Sequence, residues 1–320
     1  MTKKPLKKLA SVFALITLAS CSNSTETVSE STQTTASPAV ELPVVVVTYS
    51  VIGDVVAQLV GDKAVVNVLI PDGQDPHEFQ PSAKDIETLS NAAIVVSNGL
   101  DFEEGLEDVL ENVVESGNKV FMVGEHITVL KTKEDDHEDD HDGEEESEEE
   151  HDHGGVDPHL WLSPGTMLEM LPALTSALSD ALGIDLANSS VALTTNLEEL
   201  DKEIQQTISG LQDCNLVSGH DEMGYFAARY GCQIIGAIIP SFTTTSEATA
   251  GELADLKRLI DQYKVAAIFT GLGTNPAVAD QLAKELGIKA VILSTHYLDG
   301  ANNYQEFMLR MVNQIAEALK

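Results

Sequence analysis

Eight short apolar runs, separated by longer segments of helical period, dominate the sequence from residue 43 onward. In the first half the runs are Pro43–Thr48, Val65–Ile70, Ala93–Val96 and Val120–Val123. In the second half they are Leu216–Ser218, Gln233–Ile239, Val265–Thr270 and Lys289–Ser294. Helical spacing fills residues 51–61, 82–91, 102–115, 165–183, 221–231, 246–263, 276–287 and 303–319. Nearly continuous apolar strands alternating with helices predict parallel sheets covered on both faces. Four strands on each side of a central break predict an α/β fold of two lobes, residues 43–186 and 212–320, each a four-stranded parallel sheet flanked by helices. Residues 187–211 contain no proline and read as one long helix joining the lobes, a rigid connection that limits hinge bending.

Ahead of this lies a segment of different character. Lys3, Lys4, Lys7 and Lys8 precede an apolar run from Leu9 to Leu18, then small residues and Cys21. Such a run is too short for a hydrocarbon layer of about 30 Å. The order basic, apolar, small is that of a secretory leader, here residues 1–20. Leu18-Ala19-Ser20-Cys21 resembles the bacterial lipoprotein lipobox, which implies a lipid on Cys21 and an extracytoplasmic, membrane-anchored protein. Residues 21–42, rich in Ser, Thr and Glu, then serve as a flexible tether. Export permits disulfides. Cys214 and Cys232 each stand at the start of an apolar run, and if those runs are neighbouring parallel strands the thiols begin side by side, so a bridge is expected. A formal net charge of −34 argues against nucleic acid, whose phosphates need Lys and Arg partners.

The nine histidines fall into distinct settings. His137, His141, His151 and His153 lie in an acidic tract, residues 131–155, with no apolar periodicity. Dense charge of one sign predicts a disordered loop, with the four histidines as secondary, weaker metal ligands. The character changes at Asp157-Pro158-His159-Leu160-Trp161-Leu162-Ser163-Pro164, which holds the single tryptophan and ends on a helix-start signal. A second Asp-Pro-His stands at 75–77, after the run ending at Ile70. His220 follows the run ending at Ser218, and His296 follows the run ending at Ser294. Three histidines just beyond the carboxyl ends of predicted parallel strands, with His159 ahead of a helix, occupy the usual ligand position of open α/β sheets. Four imidazoles suit Zn²⁺, Cu²⁺ or Ni²⁺, whereas Mn²⁺, Ca²⁺ and Mg²⁺ prefer oxygen. His77, His159, His220 and His296 are therefore the expected ligands of a Zn²⁺ ion held in the cleft between the lobes.

PDGQDPHEFQPSAKDI with NGLDFE, then VDPHLWLSP, then GHDEMGYFAARYG together resemble the zinc-binding members of the metal-specific solute-binding proteins of bacterial ABC importers. The resemblance spans about residues 43–320 and implies His77, His159 and His220 as metal ligands, with histidine rather than glutamate at 220 favouring zinc over manganese or iron. Its fourth ligand is commonly an Asp or Glu, or water; this chain offers His296 first, water second and Asp299 third. The resemblance also implies delivery of zinc, by a monomer, to a membrane permease driven by a separate ATPase subunit. No GxxxxGK[ST] phosphate loop occurs in this chain. Two other readings stand beside it. A manganese-binding importer component would share the fold. A zinc hydrolase would need an open coordination position and a carboxylate base, for which Asp221 and Glu222 supply only the residue types. Because capture needs neutral imidazoles, affinity is expected to fall as pH drops through about 6.

Overall fold

The computed structural model describes residues 42–130 and 156–320. The leader, Cys21, the tether and His137, His141, His151 and His153 lie outside the described residues.

The valine-rich run Val44–Val47 forms β1, which pairs in parallel with β2 (Val65–Val68) on one side and β3 (Ile94–Ser97) on the other. With β4 (Val120–Met122) they make a parallel sheet of order β2-β1-β3-β4. β5 (Asn215–His220), β6 (Gln233–Ile239), β7 (Ala267–Thr270) and β8 (Lys289–Ile292) repeat that pattern as β6-β5-β7-β8. β3 and β7 are buried along their whole length, which explains why they read as continuous apolar runs rather than alternating ones. In each sheet the chain turns one way to the second strand and the other way to the third. The carboxyl ends of β1 and β3, and of β5 and β7, thus flank a topological switch point.

Helices α1 (Ser50–Val60), α2 (Ala83–Ser90), α3 (Glu107–Glu115) and α4 (Pro164–Leu182) accompany the first sheet. α5 (Ala187–Ser209) crosses to the second, which carries α6 (Gly224–Tyr230), α7 (Ala250–Tyr263), α8 (Pro276–Leu286) and α9 (Tyr304–Ala318). Leu193, Leu197, Leu200, Ile204 and Ile208 form the buried stripe of α5 at three- and four-residue spacing. That stripe lies in one continuous core with Val45 and Val47 of the first sheet and Phe269 of the second. α5 is a shared wall of both halves, not a free spacer.

The helix starts differ from the sequence reading for local reasons. The segment expected as helix from 102 begins at Glu107, after a 3₁₀ turn over Glu104–Leu106. Leu100 and Asp101 sit at left-handed φ of 59° and 58°, which no helix tolerates. α7 begins at Ala250, not 246, because Thr249 caps it and closes a capping box with Glu252. α6 begins at Gly224, not 221: the chain first leaves β5 in a tight turn, with the Asp221 N–H on the Ser241 carbonyl and the Glu222 N–H on the His220 carbonyl. His220 is the last residue of β5, paired with Ile239, rather than a residue beyond the strand. Cys214 and Cys232, each one residue ahead of a paired strand, are joined by a disulfide.

Candidate metal centre

Both Asp-Pro-His tripeptides build the same local device. Asp75 Oδ1 accepts the backbone N–H of His77 at 3.1 Å, and Asp157 Oδ1 accepts that of His159 at 2.9 Å. A side-chain carboxylate gripping the amide two residues on fixes the turn, while the intervening proline fixes φ. After His159 a 3₁₀ turn over Leu160–Leu162 leads to Ser163, whose hydroxyl accepts the Gly165 N–H at the start of α4. His77 follows β2, His220 ends β5 and His296 follows β8. All four imidazoles therefore reach the same end of the two sheets.

There they meet. One donor atom from each of His77, His159, His220 and His296 lies within 4.8 Å of the others, and all four residues are buried. His159 Nε2 and His220 Nε2 stand 3.0 Å apart. The six distances between ring centres run from 4.9 Å to 5.8 Å. Four points with six nearly equal separations form a tetrahedron. Imidazoles on a Zn²⁺ ion at 2.0–2.1 Å would place their ring centres about 5.2 Å apart, inside that range. Asp299 is exposed and outside the cluster; its carbonyl accepts from Arg310 at 3.1 Å. His126, also exposed, stacks on Phe121.

Each imidazole has a carboxylate behind its Nδ1. His159 Nδ1 is 2.9 Å from Asp157 Oδ1, and His77 Nδ1 is 3.9 Å from Glu104 Oε1. Glu222 serves two rings, with Oε1 4.0 Å from His220 Nδ1 and Oε2 3.8 Å from His296 Nδ1. His296 Nδ1 is also 2.9 Å from Thr295 Oγ1. At His159 the Asp157 carboxylate is within hydrogen-bond distance of Nδ1 and favours the tautomer that leaves Nε2 as the inward lone pair. The carboxylates near the other three rings stand beyond hydrogen-bond distance. Several buried atoms here have no hydrogen-bond partner among the described residues: both ring nitrogens of His77, His296 Nε2, His220 Nδ1 and Glu222 Oε2. Unpaired polar atoms inside a protein are costly and point to a ligand. An ion of charge +2 would satisfy the inward nitrogens and favour the ionised form of the carboxylates near them.

Burial also sets the protonation. It lowers His77 and His159 to about 3, with the neighbouring His159 adding to the effect on His77, and it holds His220 and His296 well below the ordinary imidazole value. The rings are neutral lone-pair donors throughout the physiological range, so proton competition at the imidazoles sets in far below the pH of 6 anticipated from an unperturbed side chain. Burial has the opposite effect on the acids, raising Asp157 to about 7 and Glu222 to about 8. The groups that exchange protons near neutrality are thus the carboxylates behind the ligands. The roles of Asp157, Glu222 and Glu104 were not read from the sequence, although Asp157 and Glu222 each lie two residues from a candidate ligand, which is a usable signal.

The family profile described as "ZnuA: Zinc-uptake complex component A periplasmic" matches residues 45–318. The zinc-binding protein AdcA of Streptococcus pyogenes serotype M3 is 31% identical over 261 residues, covering 78% of this chain and 50% of that protein. The chain thus spans about half the length of the curated relatives of that kind. The manganese-binding lipoprotein MntA of Halalkalibacterium halodurans is 24% identical over 288 residues, covering 86% of this chain and 88% of that protein. Among solved structures, the periplasmic zinc-binding protein TroA from Treponema pallidum superposes with a TM-score of 0.74 at 23% identity, covering 87% of this chain and 99% of that one. A crystal structure of ZnuA superposes with a TM-score of 0.71 at 22% identity, covering 88% of this chain and all of that one. At those identities the likeness establishes the fold.

Proposed function

The chain belongs to the ZnuA family of periplasmic zinc-uptake components, and on that premise we propose that it captures Zn²⁺ outside the cytoplasm and hands it to an ABC permease with a separate ATPase subunit. The observation that carries this reading is the tetrahedron of four buried imidazoles, His77, His159, His220 and His296. Two come from the first sheet's half and two from the second, residues 43–186 and 212–320 being the two lobes and 187–211 the connecting helix. The ion is cargo, and the site's task is to strip its water and replace it with nitrogen.

Several features support zinc over manganese. Four nitrogen donors with no oxygen among them favour a borderline metal, and tetrahedral geometry suits Zn²⁺ where Mn²⁺ prefers an octahedral oxygen shell. A hydrolytic reading is poorly supported. Four imidazoles leave no coordination position for water, and Glu222 stands behind two of the rings at Nδ1, not on the ion's side where a base would act. The AdcA relative is a zinc-binding protein and the MntA relative a manganese-binding lipoprotein; the donor set in this chain accords with the former.

We further propose a monomer anchored by a lipid on Cys21. No helix among the described residues is long and apolar enough to cross a membrane. Direct titration of the purified protein with Zn²⁺ and Mn²⁺ tests the reading: tight, stoichiometric zinc binding with much weaker manganese binding is expected, and equal or reversed preference would contradict it.

A further inference from the structure

The four ligand histidines are 2% exposed or less, so an ion reaches them only through a surrounding wall. A cavity of about 550 Å³ carries His77 in that wall. Its first-half lining includes Asp101 and Glu104, and its second-half lining includes Ser241 and Thr243 from the loop after β6. His77 is itself 2% exposed, and neither of its ring nitrogens has a hydrogen-bond partner among the described residues. Its Nδ1 lies 3.9 Å from Glu104 Oε1. Glu104 has a side chain 38% exposed, so one carboxylate meets both the solvent and a buried ligand.

Glu104 is also tied to the opposite half. Its Oε1 accepts a hydrogen bond from Thr243 Oγ1, and Asp75, two residues ahead of His77, accepts one from Thr244 Oγ1 at 2.8 Å. Two adjacent threonines of the second half thus close over the His77 side of the cluster by gripping two carboxylates of the first. The backbone that presents Glu104 is pinned from behind. The buried Glu103 carboxylate accepts the N–H groups of Asn98 at 2.9 Å and Gly99 at 3.3 Å, ahead of the left-handed pair Leu100 and Asp101. This position is set by the fold rather than by a wandering surface side chain.

We propose that Glu104 is the transfer group through which zinc passes between solvent and His77, and that Thr243 is the latch it must release to do so. The inference rests on zinc capture by the four histidines. A carboxylate oxygen is a competent zinc ligand at about 2.0–2.2 Å, and, unlike a neutral imidazole, it draws the hydrated cation from solvent. Replacing one water of the ion at Glu104 before His77 takes over divides a single large desolvation into smaller steps. When the ion engages Oε1, the Thr243 hydroxyl loses its bond to the opposite half and keeps only its local ones to Thr245, which loosens the closure on that side during transit. A stepping stone of this kind lowers the barrier equally for entry and exit and leaves the end states unchanged.

That symmetry gives the test. Zinc association, and zinc release into excess chelator, are followed by stopped-flow through Trp161 emission in the wild type and in the Glu104→Gln, Thr243→Val and Asp62→Asn variants. Asp62 is an exposed charge ahead of β2, at the opposite end of the first sheet. Glu104→Gln keeps an oxygen for Thr243 and removes the charge. It is expected to slow both association and release by about tenfold, with the dissociation constant changing less than about threefold. Thr243→Val is expected to speed both, and Asp62→Asn to change neither. If Glu104→Gln leaves association intact and speeds release, the carboxylate merely orients His77 and the proposal is overturned. Wild-type rates in Glu104→Gln, or equal slowing in Asp62→Asn, also overturn it. Absence of zinc binding in the wild type would instead sink the capture reading itself, an outcome distinguishable from the others.

Discussion

Trp161 Nε1 donates a hydrogen bond of 2.6 Å to the backbone carbonyl of Thr295, joining the loop that carries His159 to the loop that carries His296. The same tryptophan's carbonyl accepts from the Tyr304 hydroxyl at 2.7 Å, and its ring lies 5.4 Å from that of His159 and 5.7 Å from that of His296. The chain's single tryptophan is therefore both a strut between the two halves and a reporter on the cluster. Zinc should change its emission with one-to-one stoichiometry. Trp161→Phe removes the donor and leaves the buried Thr295 carbonyl short of a partner, so a loss of about 1–3 kcal/mol in stability is expected by chemical denaturation. Unchanged stability would show that the strut carries no strain between the halves.

The four imidazoles are not equivalent to the remaining histidine of the described region. His220→Ala removes one corner of the tetrahedron and should weaken zinc binding by more than about 100-fold, beyond what loss of an outer partner usually costs. His126→Ala, on a residue that stacks against Phe121 away from the cluster, should leave affinity unchanged. Isothermal titration in competition with a chelator of known affinity measures both. A comparable loss from the two would contradict the assignment.

Asp157 grips His159 at two points, the backbone N–H and Nδ1, both at 2.9 Å. Asp157→Asn preserves size and removes the charge that makes Nε2 a better donor. Zinc affinity should fall about 10–100-fold, with the fold intact by circular dichroism.

The buried carboxylates make a distinctive prediction about pH. Asp157 and Glu222 are raised to about 7 and about 8, whereas in the unfolded chain such groups titrate near 4. Between pH 7 and 8 the folded, metal-free protein thus holds protons on these carboxyls that the unfolded chain has already released, so its stability falls as pH rises. The four histidines are neutral when folded but still partly protonated near pH 6.5 in the unfolded chain, so they offset that slope at the lower edge of the window and fade above about pH 7. Below it they are neutral only when folded, so stability also falls from about pH 6.5 toward 3. Thermal melts in chelator should show a Tm that declines from pH 7 to 8 and a decline that Glu222→Gln reduces. With saturating zinc the cation favours the ionised carboxylates, and the decline should vanish. A flat metal-free profile would contradict the burial argument.

The disulfide anchors the second sheet and stands apart from the site. Cys214 and Cys232 close a loop across 18 residues at the amino ends of β5 and β6, whereas His220 sits at the carboxyl end of β5. Replacing both by serine should cost about 3 kcal/mol in stability and leave zinc affinity within about threefold of wild type. Denaturant melts and a zinc titration check the two halves of that statement.

What was legible in the sequence follows from which signals are local. Strand and helix alternation is written in residue spacing, and both sheets formed where the apolar runs lay. The histidines were legible because parallel strands all deliver their following residues to one end, so His77, His220 and His296 needed no contact information to be grouped. Ends of elements were less legible, since they depend on single partners: Ser241 holding Asp221, Ile239 extending β5 to His220, Thr249 capping α7. The carboxylates behind the ligands were hidden for a related reason. Glu104 meets His77, and Glu222 meets His296, only after distant segments fold together. Protonation was hidden too, because burial, which sequence spacing does not quantify, moves His77 and His159 from their usual value to about 3 and holds His220 and His296 well below it.

The central claim is that imidazoles from both halves of the molecule hold one zinc ion. Crystals grown from protein with one equivalent of Zn²⁺, with diffraction data collected on either side of the zinc absorption edge, test it most directly. One strong anomalous peak about 2.0–2.1 Å from a nitrogen of each of His77, His159, His220 and His296 is the expected result. A peak bound elsewhere, with those four rings left uncoordinated, would contradict the account.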